Sequence, residues 1–230
     1  MTTKGGTSSS NSKYLRTDQW NDVIASLHQM QRLLEATPND SEWKWIALAC
    51  HSALQGICVC HLTQTDGTGA LDKNATKDVR GFFEMEEQKR LTLQSGGKWI
   101  LPEPEYPLSP RIASLPDLLK KIGGEKFQKI SGREPPDRKH RTEWELWHLH
   151  DIRNQLVHFT PMSLSIEKDF LNNITITALT HALQIHQIGY KRVEQYAEDP
   201  AVLIDSLLGS LKALSGTQRG GKPRTADSTV

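Results

Sequence analysis

One short stretch, Arg153-Asn154-Gln155-Leu156-Val157-His158, brings together the groups needed to cut a phosphodiester backbone. Histidine takes and gives a proton near neutral pH. Arginine offers a charged fork that suits a phosphate oxygen. Asparagine can hold the imidazole or a sugar hydroxyl in place. On a helix, Asn154 and His158 are four apart and share a face. Arg153 lies about 100° round from Asn154, so Arg153 and His158 flank a groove with Asn154 between them. These groups suit cleavage of RNA without a metal or any other cofactor. The RNA's own 2′-hydroxyl would attack the adjacent phosphorus, His158 would move a proton, and Arg153 would stabilise charge on the phosphorane. One helix supplies only one acid–base group, so a second copy across a two-fold axis would have to supply the other.

Such chemistry needs a scaffold, and the hydrophobic pattern predicts an all-α one. The helix that carries the site is expected over 142–159. Thr142 and Glu145 form a capping-box pattern at its start, Trp144, Trp147, Ile152, Leu156 and Phe159 supply bulk, and Pro161 ends it. Upstream, Trp20, Val23, Ile24, Leu27, Met30 and Leu34 mark a first helix beginning near Thr17 or Asp18. Asp40 or Ser41 then caps a broad apolar helix running to about Thr63. From Thr65 the pattern breaks, and 66–110 is expected to be a long irregular insertion with one short helix at about 77–93. A short helix from Ser114 to Ile122 follows, then a Lys/Arg-rich connector up to Arg141. A fourth long helix starts at Ser163 or Ser165 and continues to about Tyr196. Pro200 opens a last helix over 201–214. Residues 1–13 and 216–230 have the composition of disordered tails, which leaves one domain over 14–215.

Arg153-Asn154-x-x-x-His158, late in a helix of an all-helical bundle, resembles the R-x4–6-H motif of the HEPN superfamily, in which the residue after the arginine is usually polar. The motif covers six residues, and the compatible helix order covers about 17–214. The resemblance implies a four- to five-helix bundle, a homodimer with the motif paired across the interface, and Arg153, Asn154 and His158 as the catalytic site of an endoribonuclease. Such enzymes serve in toxin–antitoxin and phage-defence systems, so an antitoxin or another partner protein is also implied. Some members of the superfamily are non-catalytic and bind RNA or protein instead. A plainer competing reading is structural: Asn154 and His158 end the helix, and Arg153 pairs with Asp151 or Glu145.

Other residues bear on the same site. His150 precedes Asn154 by four and shares its face, as an auxiliary RNA-binding group or a solvated histidine. Lys139 and Arg141 close the basic connector and would guide an RNA backbone towards the site. A metal site from His150, Asn154 and His158 lacks a well-spaced acidic or thiol partner. Cys50-His51 and Cys58-x-Cys60-His61 do not have zinc-finger spacing and read better as buried thiols. The tryptophans read as core and interface anchors.

The whole composition sets outer limits. With 28 Lys and Arg against 27 Asp and Glu, the net charge of +1 excludes a strongly basic nucleic-acid coat protein. Three cysteines in one apolar stretch do not form a secreted disulfide framework, the polar N-terminus is no signal peptide, and no long uninterrupted apolar run suggests a membrane span. A cytoplasmic setting follows from these features.

Overall fold

The computed structural model describes residues 18–63, 68–107, 110–123, 136–158, 165–188 and 198–219. Among these residues it is all-α: α1 (Gln19–Leu33), α2 (Asp40–Leu62), α3 (Lys73–Gln94), α4 (Leu115–Gly123), α5 (Arg141–Val157), α6 (Lys168–Ile188) and α7 (Pro200–Arg219). The one β-type pairing among them is an isolated antiparallel bridge between Leu71 and Ile112.

The apolar breadth of α2 makes it the central element. It packs against α1, α4, α5 and α6, while α7 closes on α1 and α6. Val23, Leu27 and Met30 of α1 meet Ile46, Cys50, Leu54 and Ile57 of α2, and Ile174, Leu179, Ile204 and Leu211 extend the same core through α6 and α7. Each buried leucine or isoleucine contributes about 1.5–3 kcal/mol. Among the described residues α2 alone is long and apolar enough to cross a membrane, but the other helices cover its apolar side. It is also well capped at its start, where Asn39 accepts from Ser41 and Glu42 and the Glu42 carboxylate accepts from the Asn39 backbone. This cap lies one or two residues before the expected Asp40 or Ser41. Asn39 wins because its side chain reaches both orphan backbone N–H groups.

The 66–110 insertion is less irregular than expected. Half of it is α3, a 22-residue helix started by Asp72, whose side chain accepts from the backbone of Ala75 at 2.8 Å. The helix expected at about 77–93 lies within it, and its start four residues earlier is hard to see in the sequence because the helix buries almost nothing. Only Ala75 and Val79 are buried, in a small cluster with Leu71 apart from the main core. Lys121 of α4 ties the loop before it by donating to the carbonyls of Gly69 and Leu71 at 3.0 and 2.5 Å.

The capping box expected from Thr142 and Glu145 does not form. The α5 N-cap is His140, and its side chain does not cap the helix. Glu145 is buried instead, taking Arg141 at 2.8 Å and the Thr177 hydroxyl of α6. A carboxylate that bridges two packed helices is worth more there than at a frayed helix end. α7 also runs further than expected, to Arg219, since the Asn172 amide of α6 holds the Leu211 carbonyl and the Ser215 hydroxyl at 3.1 and 2.5 Å. Trp43 is a core anchor as expected, but Trp45 is 53% exposed, on the side of α2 away from the bundle. The 124–135 part of the basic connector, Phe159, Pro161 and the 189–196 extension of α6 lie outside the described residues.

α1 and α2 approach closely at Gly56, where an added Cβ would lie 2.5 Å from Cγ2 of the fully buried Val23. At Gly209 of α7 an added Cβ would meet nothing within 4 Å. Two helical Gly→Ala changes should therefore have opposite signs. Gly209→Ala is expected to stabilise by roughly 0.5–1 kcal/mol through helix propensity. In Gly56→Ala the strain of about 1–3 kcal/mol exceeds that gain. Urea midpoints of the two variants, measured side by side, check this.

Candidate functional site

α5 is the third long helix of the sequence reading, and it presents its side chains in strips. Leu146, Leu149 and Ile152 face the core, together with Glu145. His150 and Asn154 form the next strip, beside α2. His158 is the C-cap residue, its backbone N–H donating to the Asn154 carbonyl at 3.0 Å, and its side chain is exposed.

Arg153, Asn154 and His150 are brought together. Arg153 Nη1 donates to Asn154 Oδ1 at 3.0 Å, and Asn154 Nδ2 lies 3.1 Å from His150 Nε2. Neither acid proposed as a structural partner for Arg153 serves it. Glu145 takes Arg141, and Asp151 accepts from the Gln155 amide at 2.7 Å. Among the described residues no carboxylate lies within ion-pair distance of Arg153. Its guanidinium is held by a neutral amide and keeps its full charge. All three of these side chains are part-exposed.

His150 does more than sequence reasoning assigned to it. Its other nitrogen, Nδ1, is 3.1 Å from His51 Nε2 on α2, and the two rings meet edge to edge, their centroids 5.4 Å apart and their planes 26° from parallel. His51 is 2% exposed. Burial, followed by the charges of His150 and Arg153, pushes its pKa down to about 3. Burial and then Arg153 lower His150 as well, against smaller opposing effects of Asp151 and Asp117. Both rings are therefore neutral at physiological pH.

The remaining candidates stand elsewhere. Arg141 is twelve residues from Arg153, about 18 Å along the helix, and is engaged by Glu145. Lys139 lies just before it, exposed and 3.6 Å from Asp137. These two belong to the opposite end of α5 from the Arg153 cluster. Cys50 and Cys58 are buried, and burial raises the Cys50 thiol to about 12, where it is chemically inert.

The residue that sequence reasoning missed is His51. In the sequence it stands out only beside Cys50, as a metal-ligand candidate. The available signal was a polar ring in the middle of a broad apolar stripe, which needs a buried hydrogen-bond partner from another element. Compared with known proteins, the chain matches no family model, no curated protein and no solved structure.

Proposed function

We propose that this chain is a metal-independent endoribonuclease of the HEPN type, acting as a homodimer on cytoplasmic RNA. The observation that carries this reading is the state of Arg153. Among the described residues it is a cation held by the neutral Asn154 amide with no carboxylate in ion-pair range, a turn and a half from an exposed histidine at the end of the same helix. A purely structural arginine at that position would be expected to pair with an acid. An arginine awaiting a phosphate is better served by a partner that orients it without neutralising it.

In the proposed reaction the 2′-oxygen forms a bond to phosphorus and the bond from phosphorus to the 5′-oxygen breaks. One His158 takes the 2′-hydroxyl proton, and a second, from the partner subunit, gives a proton to the leaving 5′-oxygen. Arg153 bears the charge that gathers on the phosphoryl oxygens. The products are a 2′,3′-cyclic phosphate and a 5′-hydroxyl. Asn154 orients Arg153, and Lys139 and Arg141 would meet flanking phosphates further along the strand.

The test uses the purified full chain with a labelled RNA and its all-deoxy counterpart, in excess chelator. The RNA should be cut to cyclic-phosphate ends while the DNA stays intact. Equal cutting of the two, or a strict requirement for added metal, would exclude the mechanism.

A further inference from the structure

His51 sits outside the six-residue motif, on another helix, yet it terminates a chain of hydrogen bonds that begins at Arg153. The direction of every link is fixed by elimination. A guanidinium only donates, so the atom of Asn154 facing it is the carbonyl Oδ1. The Asn154 amide nitrogen then faces His150 and donates, so His150 Nε2 must be bare. A neutral imidazole with bare Nε2 carries its proton on Nδ1, which points at His51 Nε2. His51 Nε2 must in turn be bare to accept it.

We propose that His51 is a positioning residue: by accepting from His150 it selects one tautomer, and through Asn154 it sets the Arg153 guanidinium to receive a phosphate. This rests on the ribonuclease reading for its purpose, but not for its geometry. Without the acceptor, the Nδ1 proton of His150 is left without a partner in a half-buried place. The ring then gains by moving the proton to Nε2, where it meets the Asn154 amide hydrogens. Asn154 can relieve that clash only by turning its amide, and this puts NH2 against the guanidinium. A change on α2 thus reaches Arg153 through two intermediate side chains. The burial of His51 and the lowered pKa values of both rings keep a competing proton out of the chain.

His51→Phe keeps an aromatic ring in the buried site and removes the acceptor. His51→Gln keeps an acceptor close to the position of Nε2. Imidazole and guanidinium nitrogen NMR on the full chain reads the geometry without RNA. In the parent, His150 should carry its proton on Nδ1 at neutral pH and above. The Arg153 Nε–H signal should move in His51→Phe and return towards the parental position in His51→Gln. A parental His150 protonated on Nε2, or an Arg153 signal unmoved by His51→Phe, overturns the proposal. If His51→Phe does not fold, the parental tautomer and the His51→Gln spectrum decide alone. On RNA, His51→Phe should lower kcat about tenfold with little change in KM, the pattern of an interaction made in the transition state, and His51→Gln should recover most of that loss. Equal kcat in parent and His51→Phe also overturns it. A parent that never cuts RNA removes the ribonuclease reading and leaves the spectra to judge His51.

Discussion

Arg153→Ala is expected to lower RNA cleavage by about 10²–10³-fold, the usual cost of removing one preorganised charge from a phosphoryl or acyl transition state. The loss should fall mainly on kcat, because the charge that Arg153 opposes develops as the phosphorane forms. The fold should survive. The guanidinium is part-exposed and, among the described residues, is held by a single neutral amide, so its removal leaves no buried carboxylate unpaired. Arg153→Lys should recover only part of the rate. An ammonium retains the charge but cannot hold Asn154 Oδ1 and grip a phosphate through the same planar fork. Initial rates on one labelled RNA at fixed ionic strength check both variants. Salt must be held constant, since the backbone contribution to binding is strongly screened. Parental rates in Arg153→Ala would remove Arg153 from the chemistry.

The second large effect is on stability in mild acid. In the folded chain burial and nearby charge hold His51 neutral to about pH 3, whereas its ordinary value is 6.5. Between those limits the unfolded chain binds a proton at this ring that the folded chain does not. Stability is therefore flat with respect to His51 above about pH 6.5 and falls as the pH drops below it. Each pH unit inside the window is worth up to about 1.4 kcal/mol, so acidification to about pH 5 should cost roughly 2 kcal/mol through His51 alone. His150 is shifted in the same direction and adds to the loss. Urea unfolding followed by circular dichroism at several pH values checks the slope. His51→Gln, which has no titrating ring, should show a shallower fall. An equal slope in parent and variant would mean that His51 is not held neutral by the fold.

The sequence exposed some layers of this molecule and concealed others, for physical reasons. α1, α2 and the helix carrying the motif are legible because each buries a recurring apolar stripe, as with Val23, Leu27 and Met30. α3 is long but nearly unburied, so the sequence shows most of it, over 77–93, and conceals its true start after the Asp72 cap. The ends of helices depend on competition between neighbours for a few orphan N–H groups. That is why Asn39 displaces Asp40, and why Glu145 abandons Thr142 for Arg141 and Thr177. At the site, the contact of His150 with Asn154 follows from four-residue spacing and could be read in advance. The contact of His150 with His51 spans 99 positions and two helices. No local period encodes it. It becomes visible only when the packing of α2 against α5 is known.

The central claim is that the end of α5 performs acid–base chemistry on RNA, and His158 is where it can be tested most directly. Its side chain is exposed at the C-cap, and the hydrogen bond recorded there runs from its backbone to Asn154, so alanine should leave the helix intact. Parent and His158→Ala should be compared on mixed RNA in chelator, with thermal unfolding of both recorded. The account predicts unfolding temperatures that agree and cyclic-phosphate products from the parent alone. Equal cleavage by a folded His158→Ala would contradict it.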